Sequence, residues 1–281
     1  MQIIKRTLKQ NPLYLILSQP GVYLRTLLLK TIVIGIFTLI TGIIVKLLHY
    51  DSYTIPATMH GLIGIVIGLL LVFRTNTAYD RWWDGRKIIS NLSTHASLIS
   101  SRMGAIEYSQ RTIRLYDVNV TDGLRKVINE FLTTLNHYLT EGNDDEASLA
   151  FHLEQKNSIE KAFIELEHIG HDEHTLAISS SLNKLLEYSN GLERIKNTPI
   201  PLSYVLHIKT SIFIYLMTLP FGMFHDLGLW ATPLVMLVYY IIAGVEIISN
   251  EIENPFANDP NDLPTSELFA TILETFNNNK K

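Results

Sequence analysis

The chain has 281 residues, of which 47% are hydrophobic and only 18% are charged, a balance that favours a membrane protein over a soluble one. Its formal net charge of -4 argues against a nucleic-acid-binding protein, which would normally show a strongly basic surface. The sequence contains no cysteine, which excludes disulfides, thiol catalysis and cysteine-ligated zinc.

The N-terminal segment, residues 1–26, carries cations and a short apolar run that Pro12 and Pro20 interrupt. No small-residue cleavage site follows the run. We therefore predict a retained cytoplasmic segment that can lie along a membrane surface, rather than a signal peptide.

Four apolar runs approach or exceed the roughly 20 residues that a membrane-spanning helix needs. They cover residues 27–48, 55–73, 204–224 and 227–248. Buried helices of a soluble bundle would explain one such run, but four runs in two closely linked pairs are hard to hide in water. We predict two transmembrane hairpins.

Basic residues predict the orientation of the hairpins. The loops "HYDSYT" and "HDLGLW" contain no Lys or Arg, whereas cations flank the opposite ends of the spans, and Lys46 is a mild exception. Basic residues collect on the cytoplasmic side of bacterial membranes. The predicted order begins with a cytoplasmic N-terminal segment (residues 1–26), two spans (27–73) and a cytoplasmic helical domain (74–203). Two further spans (204–248) and a cytoplasmic tail (249–281) follow.

The segment between the hairpins is polar and has helical periodicity. Its clearest stripe contains Leu124, Val127, Ile128, Phe131 and Leu135, which recur at the spacing of one buried helix face. Two later stretches repeat the behaviour, and no strand-like alternation is sustained. We predict an all-α protein.

Motifs of enzyme chemistry are missing. The sequence has no Walker loop, nucleophile elbow, zinc-protease motif or Rossmann glycine pattern, and the spans offer few reactive polar groups. The stretch "HIGHDEH" could gather His168, His171 and His174 around a metal. Gly170 breaks the helical phase that would align them, and a solvated turn explains the same residues.

The second span has an apolar strip at i, i+4 and i+8, formed by Ile65, Leu69 and Phe73. A neighbouring face carries small residues that allow close helix approach, namely Gly61, Gly64 and Gly68. In an isolated chain the strip would meet lipid or another helix. If several copies ring an axis, it forms stacked apolar collars that gate a pore by dewetting. Periodicity leaves both interpretations open.

A charged and aromatic stretch, "DRWWDGRK", follows this span. Asp80 and Asp84 lie one turn apart, and the arginines beside them favour ion pairs over a catalytic carboxylate pair. The stretch is also typical of an interfacial anchor, with Trp82 and Trp83 in the aromatic belt and Arg74 snorkelling into water.

Three motifs at three helix junctions resemble the bestrophin family in its bacterial branch. They are "FRTNTAYDRWWDGRK" after the second span, "RIKNTPIPLSY" before the third, and "EIENPFANDPNDLP" after the fourth. The first two carry the family-motif residues Arg74, Asn76, Asp80, Arg81, Trp82, Trp83, Pro199 and Pro201. The resemblance implies a homopentameric channel of the bacterial inner membrane that passively conducts small monovalent ions.

The resemblance also assigns roles within the pore. Residues that match the narrow neck of the family are Ile65, Leu69 and Phe73, on a second span that lines the pore. A second, cytoplasmic constriction falls on the helix before the "TPIP" motif, where His174 or Ile178 is the candidate.

Animal members of the family are calcium-activated chloride channels whose calcium clasp follows the fourth span. The corresponding residues here are the vestigial candidates Asn254, Asp259 and Asp262. Asn258 replaces an expected acid, which should weaken a calcium site. We expect no required cofactor, and helix capping or a turn is the alternative role of these residues.

Ion choice and conduction leave alternatives open. An apolar neck supplies no fixed charge for selecting ions. The family as a whole implies chloride, whereas bacterial members imply sodium or other cations. A non-conducting membrane scaffold that binds partners through its cytoplasmic helices is the alternative function.

Overall fold

The computed structural model describes residues 21–47, 57–113, 121–141, 145–169, 173–257, 259 and 261–278. All regular elements within them are helical, which confirms the all-α prediction. The helices are α1 (Gly21–Leu47), α2 (Ala57–Ile113), α3 (Asp122–Thr140), α4 (Asp145–Ile169), α5 (Glu173–Asn197), α6 (Leu202–Leu227), α7 (Ala231–Glu253) and α8 (Thr265–Asn278). The predicted surface-lying segment before residue 21 and the loop "HYDSYT" lie outside the described residues.

The chain forms two compact units. The first contains Met1–Thr77 and Ile200–Asn250, and the second contains Ala78–Pro199 and Glu251–Lys281. Contacts within a chain do not locate a membrane, so the predicted domain boundaries stay a prediction.

Three stretches are long and apolar enough to cross a bilayer, namely Arg25–Leu47, Thr58–Ser109 and Glu173–Glu253. The third stretch contains both α6 and α7, which a short 3-10 helix, Gly228–Trp230, separates. Gly228 has a φ of 52°, a left-handed conformation that glycine adopts without steric cost. The helices α6 and α7 are about 39 Å and about 35 Å long by the rise of an α-helix. Each is long enough for one span, and the arrangement of four spans stays a prediction.

The core of the first unit is made of aliphatic and aromatic side chains. It takes Ile34 from α1, Ile67 and Leu71 from α2, Leu216 from α6 and Val235 from α7, all buried. These helices therefore pack through one face each and leave their other faces outside the core.

The core of the second unit confirms the helical stripe seen in the sequence. Leu124, Ile128, Phe131 and Leu135 are fully buried, and Val127 packs against the same core. The end of α3 is held by Lys196 of α5, whose ammonium group donates hydrogen bonds to the carbonyl oxygens of Tyr138 and Glu141. These carbonyls belong to the helix end, where acceptors lack intrahelical partners.

Candidate pore-lining site

The apolar strip of α2 lies on the face that does not pack into the core. Ile65 is 71% exposed, and Leu69 and Phe73 are each 54% exposed, whereas Ile67 and Leu71 are buried. The helix therefore presents the strip outward along one side, as its spacing predicts. The role of these residues as a pore neck stays a prediction.

Exposure alone does not single out the strip, because other large apolar side chains of α2 are also exposed. They include Leu62, Ile63, Val66 and Val72. Apolar surface of this extent requires cover by lipid or by another protein copy. Within the described ranges the structure leaves this side of α2 largely uncovered, here called its unpartnered apolar side, and the strip is one line along it.

The glycines beside the strip have different surroundings. At Gly64, a Cβ atom would lie 2.8 Å from the hydroxyl oxygen of Tyr215 on α6, so a side chain at this position would displace the end of the Tyr215 side chain. At Gly61 and Gly68, a Cβ would meet nothing within 4 Å. Gly64 thus makes room for the Tyr215 side chain, and the close helix approach predicted for the three glycines stays a prediction.

Arg74 is fully buried, with 0% of its surface exposed, so the prediction that it snorkels into water was wrong. Its Nη1 lies 3.1 Å from Glu246 Oε1, and its Nη2 donates to Asn250 Oδ1 at 3.2 Å. Both partners lie on α7. A guanidinium is tolerated in such an interior because a carboxylate and an amide oxygen replace its water ligands.

Arg81 binds helix ends rather than the neighbouring carboxylates that the sequence suggested. Its guanidinium donates to the carbonyl oxygens of Glu253 at 3.0 Å, Thr198 at 2.6 Å and Ile195 at 2.7 Å. Carbonyl oxygens at helix C-termini lack intrahelical partners and carry partial negative charge. The planar guanidinium, which is positively charged and has several N–H donors, can bind three of them at once. Burial lowers the pKa of Arg81, and the negative charge of Glu253 opposes that shift.

The two carboxylates of "DRWWDGRK" are both exposed on α2. Asp84 pairs with Lys87 at 3.9 Å, one turn along the helix. The ion pairing predicted for this stretch therefore involves Lys87 rather than Arg81. An exposed pair at this distance contributes little to stability.

The tryptophans have unequal surroundings. The indole N–H of Trp82 donates to the carbonyl oxygen of Asn261 at 3.1 Å, and its ring stacks on Tyr79 and Trp83. Trp83 is half exposed. Trp82 is thus held by a protein partner within the second unit, and Trp83 is the ring available for lipid or another subunit.

The prolines of the second motif separate two helices. Pro199 follows the end of α5, and Pro201 immediately precedes α6. The carbonyl of Pro201 accepts hydrogen bonds from the N–H groups of Tyr204 and Val205. Asn76, which belongs to the first motif, is exposed on α2.

The two aperture candidates differ in accessibility. Ile178 is fully buried in the core of the second unit and has no surface within the chain that could face a lumen. His174 is half-buried, with its ring Nδ1 3.2 Å from Arg102 Nη1. Of the two, His174 has the side chain that could line an aperture.

A metal centre at the histidine-rich turn is not supported by the residues described. The Nδ1 of His168 lies 2.7 Å from the carbonyl oxygen of Ile164 in its own helix, and His171 lies outside the described residues. Across the described ranges, no group of three His, Asp or Glu side chains is close enough to hold a metal.

The calcium candidates form a turn. Asp262 Oδ2 accepts a hydrogen bond from the backbone N–H of Asp259 at 2.6 Å. The backbone N–H of Asp262 in turn donates a hydrogen bond to the carbonyl oxygen of Asp259 at 3.1 Å. Asn254 and Asp259 are exposed, and Asn258 lies outside the described residues. Calcium needs six to eight oxygen ligands, several of them charged. The donor set that is described does not fit a calcium site.

Burial raises the pKa of the Asp262 carboxyl from 3.8 to about 6, although the hydrogen bond from Asp259 lowers it. The folded chain therefore binds this proton more readily than the unfolded chain. The stabilising contribution of protonated Asp262 is fully present below about pH 4 and is lost as the pH rises through about 6.

Acidification from about pH 7.5 to about pH 5 is therefore expected to stabilise the wild type more than the Asp262→Asn variant. The difference should be on the order of 1 kcal/mol, because partial exposure screens the effect. Thermal unfolding in detergent at the two pH values measures it, with Asp84→Asn as the exposed control. Equal responses to pH in wild type and Asp262→Asn would contradict the prediction.

Helices long enough to cross a membrane, with an unpartnered apolar side on α2, define an all-helical membrane protein. Comparison with known proteins agrees. The family model for bacterial and fungal bestrophin proteins matches residues 3–278. A voltage-dependent anion channel-forming protein of Nostoc sp. is 31% identical over 255 residues, covering 82% of this chain and 80% of the relative. A protein of the same description from Synechocystis sp. is 30% identical, covering 79% of this chain and 76% of the relative.

The fold is also that of solved structures. A point variant of a bacterial bestrophin homologue from Klebsiella pneumoniae matches with a TM-score of 0.76 at 20% identity, over 90% of this chain and 98% of that chain. The chain belongs to the bestrophin family, in its bacterial and fungal branch. The family identified from the three sequence motifs is confirmed. Because this is a family of membrane ion channels, the prediction that the protein is not an enzyme is also confirmed.

Proposed function

We propose that the protein is a homopentameric channel that passively conducts small monovalent ions across the bacterial inner membrane. The observation that carries the proposal is the unpartnered apolar side of α2, with Ile65, Leu69 and Phe73 in one line. Five copies of this line around an axis make three stacked apolar collars. Such collars exclude water when narrow and pass ions when wetted, so they act as a gate without any chemical step.

An anion is the first candidate for the permeant ion. Two relatives, from Nostoc sp. and Synechocystis sp., are described as anion channel-forming proteins, and the family implies chloride. Sodium or another monovalent cation is the second candidate. It is favoured by Asp80, an exposed carboxylate on α2, and by the net charge of -4. An apolar neck leaves selection to charges outside it.

The cytoplasmic side of the channel contains the second unit and both chain ends. The orientation follows from the cations that flank the spans and are absent from the loop between α6 and α7. His174, rather than the buried Ile178, is the proposed aperture residue, and calcium is not part of the proposed mechanism.

Reversal potentials test the proposal and separate the two ions. Purified protein in planar bilayers is expected to carry current under an NaCl gradient, with a reversal potential near that of the permeant ion. A value near the chloride potential identifies an anion channel, and one near the sodium potential identifies a cation channel. Absence of current across a range of voltage, salt and pH would contradict conduction of either ion.

A non-conducting scaffold is the second candidate function. It is favoured by the exposed polar surface of α3 to α5, which a partner could bind. Protein that forms pentamers in detergent, inserts into vesicles and still carries no current would favour the scaffold.

A further inference from the structure

A polar cluster lies within the first unit, on the side of α2 that faces away from the apolar strip. Arg74 of α2 contacts Glu246 and Asn250 of α7 at 3.1 and 3.2 Å. Because Arg74 has no exposed surface, its charge depends on protein partners.

A second cation, Lys209 of α6, uses the same two acceptors. Its Nζ lies 3.5 Å from Glu246 Oε1 and 3.4 Å from Asn250 Oδ1. The side chain of Lys209 is 44% exposed, whereas that of Arg74 is 0% exposed. Lys209 can therefore keep water as a partner, while Arg74 relies on the carboxylate.

Arg74 follows Phe73 directly in one continuous helix. Phe73 points outward and Arg74 points into the unit, so their side chains leave the helix on different sides. A helix is stiff over one turn, and fixing the direction of Arg74 fixes the direction of Phe73. The contacts of Arg74 with Glu246 and Asn250, here called the Arg74 tie, thus act on the position of Phe73.

We propose that the Arg74 tie is the positioning element of the pore neck. It holds Phe73 in the orientation that constricts the pore, and loss of the tie loosens the neck without changing any residue that lines it. This inference rests on the proposed function, because it takes α2 as the pore-lining helix.

The chain contains no cysteine, so a single introduced cysteine is the one site at which a thiol reagent can react. In a Leu69→Cys background, a charged thiol reagent applied from the cytoplasmic side must pass Phe73 to react. Adding Glu246→Gln is expected to raise the reaction rate about tenfold and the single-channel conductance about threefold, because a looser neck is wetted more often.

Two matched variants locate the effect. Lys209→Met removes a cation but keeps the Arg74 tie, so its rate should stay within about twofold of the Leu69→Cys parent. Glu246→Asp keeps the charge but is one methylene shorter, so its rate should lie between those of the parent and Glu246→Gln. Light scattering in detergent checks that each variant assembles.

An assembled Glu246→Gln variant with unchanged rate and conductance would overturn the inference. An equal rise in Lys209→Met would do so as well, since the effect would then follow from disturbing the charged cluster in general rather than from losing the tie. If Glu246→Gln does not assemble, the Glu246→Asp variant decides. A thiol reaction rate in Glu246→Asp equal to that of the Leu69→Cys parent would then overturn the inference. Wild-type protein that never conducts would contradict the proposed function instead, and the reaction rates, which need no current, still decide the tie.

Discussion

Replacing Leu69 with Ala is expected to raise the single-channel conductance about threefold or more. Leu69 is the middle residue of the apolar strip, and in a pentamer one substitution removes five large side chains from the same level of the pore. A wider and less apolar constriction is easier to wet. Phe73→Ala is expected to act in the same direction at the end of the strip.

Ile63→Ala is the matched control for both variants. Ile63 is also a large, exposed apolar residue of α2, but it lies about 120° around the helix from Leu69 and almost three turns before Phe73. Its replacement should leave conductance unchanged. If Leu69→Ala and Phe73→Ala both give wild-type currents, or if Ile63→Ala gives the same increase, the strip is not the neck.

Replacing Arg81 is expected to give the largest loss of stability. The Arg81→Ala variant leaves the carbonyl oxygens of Ile195, Thr198 and Glu253 without their shared donor. Hydrogen bonds from a charged donor contribute about 1.5–3 kcal/mol each, and their losses are not fully additive. We expect a destabilisation on the order of 3–5 kcal/mol, seen as a melting temperature lower by roughly 6–12 °C in detergent.

Two further variants make the result specific. Arg81→Lys keeps the charge but cannot reach three acceptors from one planar group, so it should recover less than half of the loss. Lys87→Ala breaks only the exposed pair with Asp84 and should change stability by less than about 0.5 kcal/mol. Wild-type melting of Arg81→Ala would contradict the stabilising role assigned to the guanidinium.

Sequence patterns predicted the features that depend on neighbours along the helix. The stripe of α3 at Leu124, Ile128 and Phe131 is buried as its spacing indicates. Ile65, Leu69 and Phe73 lie on one side of α2 for the same reason. In both cases the information is contained in 3.6-residue periodicity, which a single helix already specifies.

Features that depend on distant partners were not predictable in this way. Arg74 is expected in water because it follows an apolar run directly. It is instead buried, and its guanidinium contacts Glu246, which lies 172 positions away in the chain. Arg81 was expected to pair with nearby acids, yet it binds carbonyls at the ends of α5 and α7. One signal was available: a carboxylate inside the fourth apolar run, at Glu246, requires a buried cation.

The measurement that tests the account most directly is chemical modification of a Leu69→Cys channel during current recording. The chain has no other thiol, so a bulky charged reagent can attach only at this position. The account predicts an irreversible fall in current that wild-type channels do not show. Complete modification, verified by mass spectrometry, with no change in current would contradict a pore lined by α2.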